Sequence, residues 1–172
     1  MEEIVNNLQS AITKYLSSIF PLETVTEHQA TTISGLLHVV SDVEHIGDNC
    51  KTIAGYAVEK TEKRYEFSDT ACAEIYQCFD YGAKMVKNSI EALETGETSL
   101  ARKVKEQEHT LNNMEGELKA RHMKRLNTKQ CSPEFTVIYT DVIHNIERIG
   151  DSCDNIANVV LDNINLKSAV EK

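Results

Sequence analysis

The 172-residue chain has no tryptophan, only two prolines and only seven glycines. Sheet proteins spend such residues on frequent turns, so their scarcity favours long helices. Positive charge is also short, with 18 Lys and Arg against 27 Asp and Glu, leaving a net charge of -9. Nucleic acid and anionic lipid both select basic surfaces, so neither is an expected partner, whereas cations or basic proteins fit. No run reaches the roughly 18 apolar residues of a membrane span. The N-terminus MEEIVNNLQS lacks the basic and apolar segments of a signal peptide, so this segment is expected neither to insert into lipid nor to carry a secretion leader. The five cysteines, at positions 50, 72, 78, 131 and 153, are odd in number and show no CxxC spacing. That argues against a disulfide framework or a cysteine zinc site and for buried thiols in a reducing cytosol.

What is present is 41% hydrophobic residues, enough for a core in one domain of this length. Phe20-Pro21 should end a first helix, because proline cannot continue the hydrogen-bond ladder. A second is expected from about Thr26 to about Lys63. Ser68 and Asp69 begin a third, the acid suiting the positive end of the helix dipole, and Gly96 stops it. A fourth runs from about Thr98 to Thr128. Ser132-Pro133-Glu134 opens a fifth, with serine as cap and proline at the first helical position, and this helix should continue to about Leu166. Nothing reads as a strand and no low-complexity linker divides the chain. The expected fold is an all-α bundle of five long helices.

An internal repeat organises these helices. Residues 44 to 54 read EHIGDNCKTIA and residues 147 to 157 read ERIGDSCDNIA, identical at Glu, Ile, Gly, Asp, Cys, Ile and Ala. Upstream, Glu2, Val5, Asn6, Leu8 and Ile12 align with Glu108, Leu111, Asn112, Met114 and Leu118. Helix one thus corresponds to helix four, and helix two to helix five. Helix three has no upstream counterpart, so residues 1–63 form a partial first repeat and 64–172 a complete second one.

The carboxylates fall on one side of this pattern. At about 100° per residue, Glu147, Asp151 and Asp154 share a narrow wedge, opposite an apolar stripe of Val142, Ile146, Ile149, Cys153, Ile156 and Val160. Helix four repeats the spacing with Glu108, Asn112 and Glu115, against a stripe of Val104, Leu111, Met114 and Leu118. Antiparallel packing of these helices would bring the acids to one surface groove. Carboxylates crowded there disfavour each other's ionisation unless a cation intervenes, and hard ions such as Mg²⁺, Ca²⁺, Mn²⁺ or Fe take such ligands. The ordinary alternative is a solvated face. Gly47 and Gly150, in mid-helix at about 1 kcal/mol each against alanine, suggest close approach of another helix or a ligand beside the acids. His45 should point away from the wedge and His144 should join it only marginally. Glu106 and His109 have the spacing of a di-iron carboxylate motif, but that architecture needs the motif twice and pointing inward.

Several motifs in order resemble the PhoU family of phosphate-uptake regulators: SGLLHVVSDVEHIGD at 34–48, LARKV at 100–104, CSPE at 131–134 and ERIGDSCDNI at 147–156. The fuller pattern is similar to the C-terminal PhoU-like domain of bacterial sodium/phosphate cotransporters. The resemblance implies two three-helix repeats, the first lacking its opening helix here. It also implies surface metal sites built on E(D)-x-x-x-D motifs, with iron or zinc in relatives. Carried over by position, the second site uses Glu147 and Asp151 with Glu108, and the first uses Glu44 and Asp48 with Glu2. Asn112 and Asn6 stand where the family has acids, and His45 and Thr52 replace arginine and asparagine.

The function implied is regulatory and not enzymatic: a cytoplasmic domain at the inner face of the membrane that tunes phosphate transport, binds metal (Fe, Zn, Mn or Mg) and contacts a membrane transporter, with homo-oligomers also in view. A free-standing PhoU-type regulator is the alternative, and a carboxylate-bridged di-metal enzyme a remote one. The two sites should be unequal. The second offers Glu108, Glu115, Glu147, Asp151 and Asp154, whereas the first has Gln9 opposite Glu115 and Lys51 opposite Asp154, so the second should hold a divalent cation more tightly.

Overall fold

The computed structural model describes the backbone of Glu2 and residues 3–20 and 25–167 in full. Five α-helices and one 3₁₀ turn account for nearly all of them, with no strand among the described residues. They are α1 (Glu2–Ile19), α2 (Glu27–Glu62), α3 (Asp69–Thr95), α4 (Thr98–Asn127), a turn at Pro133–Phe135 and α5 (Thr136–Leu161). The fold is the all-α bundle that the sequence implies.

Local chemistry sets the boundaries. Thr26 caps α2 in a capping box with Gln29, and the Ser68 hydroxyl accepts from the Ala71 amide at the start of α3. Gly96 ends α3 at φ 74°, a left-handed conformation that glycine adopts without penalty. Pro21, expected to stop the first helix, lies outside the described residues, although α1 ends just before it.

The end of α5 differs from expectation. The helix stops at Leu161, about a turn short of Leu166, because Asn163 turns left-handed at φ 62°, a state asparagine tolerates better than most residues. The turn sends Ile164 back into the core, where its Cδ1 would lie 2.5 Å from a Cβ placed at Gly35 of α2.

Helix α5 is the centre of the bundle and packs against α2, α3 and α4, while α1 packs on α2. Its apolar stripe is buried as read, with Ile146, Cys153, Ile156 and Val160 at 1% exposure or less. Each such isoleucine or valine removed from water stabilises by roughly 1.5–3 kcal/mol. Direction follows from contacts. Tyr56 bonds Asp141 and Asn155 bonds Asp42, so α2 and α5 are antiparallel. Glu74 bonds Tyr139 and Gly82 lies against Ile146, so α3 and α5 are parallel.

One buried polar network ties three helices together. Arg125 of α4 donates to both oxygens of Glu74 at 3.1 and 2.7 Å, and the Tyr139 hydroxyl of α5 donates to Glu74 Oε2 at 2.6 Å. The cysteines depart from the sequence reading: Cys78 and Cys153 are buried, but Cys72 and Cys131 are only partly covered and Cys50 is exposed. Cys50 occupies the place in its phrase that Cys153 occupies in the other, but it lines an open apolar cleft with Phe79, Gly82 and Val86 of α3 instead of being packed in the core.

Candidate functional site

The two copies of the repeated phrase lie in mid-helix on α2 and α5. Helix α4 runs antiparallel to α5, so residues rising along one meet residues falling along the other. Glu115 therefore faces His144, and Lys105 faces Asp154. The expected acidic groove exists along this seam, but its residues divide into separate groups.

At one end, His144 Nδ1 stands 3.0 Å from Glu115 Oε1 and 3.4 Å from Glu147 Oε2. One donor atom from each of Glu115, His144 and Glu147 lies within 4.8 Å of the others. Two carboxylates and an imidazole form a mixed oxygen and nitrogen set that suits Zn, Fe or Mn better than Mg, which prefers oxygen alone. Lys119 Nζ sits 2.6 Å from Glu115 Oε1, so an entering cation must displace an ammonium. The residues fit a divalent ion in donor type and spacing, with that lysine as a competitor.

At the other end, Lys105 Nζ donates to both oxygens of Asp154 at 3.1 Å and to Asn158 Oδ1 at 2.7 Å, and Asn158 also donates to Asp154. The Asp154 carboxylate is thus neutralised within the protein. Glu108 accepts a hydrogen bond from Asn112, one turn away, and Asp151 is exposed between the two groups. Of the second-site residues read from the sequence, Glu115 and Glu147 converge. Glu108, Asn112, Asp151 and Asp154 lie along the same seam outside that cluster.

Electrostatics separates the same residues. Burial, then the Asp151 and Glu115 charges, pushes the Glu147 carboxyl above its ordinary value. Burial also raises Asp151 against the pull of Arg148, with Asp154 and Glu115 adding to the rise. Glu108 is raised by burial and then by Asp154 and Asp151. For Glu115 burial acts upward too, but the Lys119 and His144 hydrogen bonds outweigh it and the carboxyl falls below its usual value. Raised acids are ones that a cation would relieve.

His144 was undervalued in the sequence. Positions 144, 147 and 151 stand at i, i+3 and i+7, which places the imidazole on the acidic side of α5, and that spacing was the available signal. Lys119, four residues after Glu115, was legible in the same way. His45 also differs from expectation, since its Nε2 lies 3.8 Å from Glu44 Oε2.

The first repeat offers less. Glu44 is partly buried, while Asp48 and Asn6 are exposed, and the side chain of Glu2 lies outside the described residues. Aligned by the repeat, the places of Glu115, His144 and Glu147 are taken by Gln9, Ser41 and Glu44, a single carboxylate where the second repeat has three donors. Gly47 is equally relaxed, with Val5 Cγ1 at an ordinary 3.6 Å from a Cβ placed there, so the close approach expected at both glycines occurs only at Gly150. Glu106 and His109 are exposed on α4 and do not point inward.

No helix among the described residues is long and apolar enough to cross a membrane. The chain is similar to phosphate-specific transport system accessory protein PhoU homolog 1 of Thermotoga maritima, with 23% identity over 126 residues, covering 73% of this chain and 53% of the relative. It therefore spans about half the length of that curated relative. A family model described as the PhoU domain matches residues 1–57 and 75–160, which include both copies of the phrase and the whole α4/α5 seam, and the chain belongs to the PhoU domain family.

Proposed function

We propose that this chain regulates phosphate transport as a non-catalytic module of a membrane phosphate transporter, at the inner face of the cell membrane, and that a divalent cation on the α4/α5 seam contributes to that regulation. The family match over both segments is the observation that carries the reading. In its finer form, residues 1–63 are a partial repeat and 64–172 a complete one, and the module belongs to a sodium/phosphate cotransporter. The Glu115, His144 and Glu147 cluster supports the metal part, because its donors are already gathered and two neighbouring carboxylates, Glu108 and Asp151, are held above their usual values.

A second reading, a free-standing regulator of phosphate signalling, is favoured by the Thermotoga relative, whose name makes it an accessory protein of a phosphate-specific transport system. Phosphate uptake by source cells with and without the gene, measured with and without sodium, tests both. The cotransporter reading predicts a change confined to sodium-dependent uptake. A change in sodium-independent uptake favours the free-standing regulator, and unchanged uptake at both low and high phosphate contradicts a role in transport.

A further inference from the structure

Among the described residues, the buried side-chain polar atoms without a hydrogen-bond partner are Nε of Arg125 and Nδ1 of His122. Both residues belong to the C-terminal part of α4, and both line one cavity of about 370 Å³. The start of α3, the connection from α4 to α5 and the first turns of α5 close it on the other sides. Glu66, Ser68 and Gln130 stand exposed at its mouth, while His122, at 3% exposure, and Tyr139 lie at its buried end.

The engaged edges of the two side chains are turned elsewhere. Arg125 donates to Glu74 through its Nη atoms, and His122 Nε2 stands 3.2 Å from the Thr136 hydroxyl. Neither Glu74 nor Thr136 lines the cavity, so Nε and Nδ1 are the edges left to it. Both are donors. A guanidinium carries only N–H groups. Burial, and then the Arg125 charge, holds His122 below the ordinary imidazole value, which leaves the ring neutral with a single proton. With the Thr136 hydroxyl donating to Nε2, that proton sits on Nδ1. Two buried donors side by side call for a group that brings acceptors.

Charge and shape narrow the class. Arg125 is matched by Glu74 and Arg121 by Glu117, and Glu66 adds an acid at the mouth. A dianion such as phosphate would therefore meet repulsion without an uncompensated cation, whereas a single negative charge can share the Arg125 guanidinium with Glu74. The cavity wall carries the rings of Phe67 and Phe135, packed edge to face with centroids 5.7 Å apart. A chamber of this volume with an aromatic wall and a few converging polar groups has the form of a small-molecule site.

We propose that the cavity binds a small aromatic carboxylate, its two oxygens accepting from Arg125 Nε and His122 Nδ1 and its ring lying against Phe67 and Phe135. The site is separate from the acidic seam between α4 and α5 and needs no cation.

Calorimetric titration of the chelator-treated 172-residue chain with benzoate tests this, with alkylation of Cys131 as a local readout. The parent should bind benzoate. Benzoate should slow the reaction of iodoacetamide with Cys131, which lines the cavity, and not with Cys50, which is exposed on α2. Benzamide, uncharged and with one acceptor oxygen, should bind roughly tenfold more weakly, and inorganic phosphate should not compete. His122→Phe keeps a ring to stack on Tyr139, whose centroid is 4.5 Å away, but removes the donor and should weaken benzoate by roughly tenfold. Glu66→Gln, at the exposed mouth, should tighten it by up to roughly fivefold with circular dichroism unchanged. The proposal is overturned by a parent that does not bind benzoate, by Cys131 labelling that benzoate leaves unchanged, or by phosphate competing as well as benzoate itself. A folded His122→Phe that binds like the parent also overturns it. Should His122→Phe fail to fold, Glu66→Gln still decides, since unchanged or weaker affinity in that variant places the ligand elsewhere.

Discussion

A Cβ placed on Gly150 of α5 would lie 2.6 Å from Leu111 Cδ2 of α4, whereas one on Gly47, the same place in the other phrase, would meet Val5 Cγ1 at 3.6 Å. Leu111 is 1% exposed and cannot withdraw freely. Gly47→Ala should therefore stabilise by about 1 kcal/mol, the ordinary helix-propensity gain. At Gly150 overpacking of about 1–3 kcal/mol opposes that gain, so Gly150→Ala should be neutral or destabilising and Gly150→Leu clearly destabilising. Urea denaturation of the three variants checks the contrast, and equal stabilisation by both alanines would refute it.

Much of this was written in the sequence, and the reasons are local. Thr26, Ser68 and Gly96 act through their own side chains or backbone freedom, so three boundaries could be read to within a residue or two. The two acidic wedges of matching spacing were legible, but the antiparallel direction that joins them was a condition that the spacing itself does not set. The end of α5 was not legible, because Asn163 reverses the chain only where Ile164 finds a seat against Gly35, a contact distant in sequence. Asp154 read as a ligand because Lys105 is charged and remote in the chain, and only the register of α4 on α5 pairs them. The Glu74, Arg125 and Tyr139 network was hidden for the same reason.

That network gives a second prediction. The Glu74 and Arg125 side chains are 9% and 13% exposed, so Glu74→Ala leaves a nearly buried guanidinium unpaired and should cost about 3–5 kcal/mol. Tyr139→Phe removes one hydrogen bond to a charged acceptor and should cost about 1.5–3 kcal/mol. Burial pushes the Glu74 carboxyl up, but the Arg125 and Tyr139 hydrogen bonds prevail and hold it below its ordinary value of 4.5. Its contribution is therefore fully present above pH 4.5 and is lost as the pH falls through the lower folded value. Stability curves of the parent and Glu74→Ala should converge in acid, and a constant gap across that range would contradict the assignment.

Glu147 has the opposite sign. Its carboxyl is raised by burial and by neighbouring acids above 4.5, so the folded state binds its proton more tightly than the unfolded chain. Its ionisation then lowers stability as the pH rises through the folded value. In chelator-treated protein, Glu147→Gln should melt higher than the parent at neutral pH, and the difference should vanish as the pH falls below 4.5. A variant that melts lower at neutral pH without metal would show that Glu147 is stabilised by the protein alone.

Asp154 and Lys105 supply a control on the same seam. Since the ammonium already holds both Asp154 oxygens, Asp154→Asn should lose part of an existing ion pair and destabilise by up to about 1 kcal/mol, with little effect on metal affinity. Thermal melts with and without Mn²⁺ check this, and loss of the metal-induced shift in Asp154→Asn would restore Asp154 to the ligand set.

The most direct test is calorimetric titration of chelator-treated protein with Mn²⁺ or Zn²⁺, comparing the parent with His144→Ala/Glu147→Gln and with Glu44→Gln/Asp48→Asn. The parent should show one tighter event. That event should persist in Glu44→Gln/Asp48→Asn and weaken by roughly tenfold or more in His144→Ala/Glu147→Gln, as expected when two side chains that would touch the ion are removed. Retention of the tighter event without His144 and Glu147, or its loss without Glu44 and Asp48, would contradict a cation site on the α4/α5 seam.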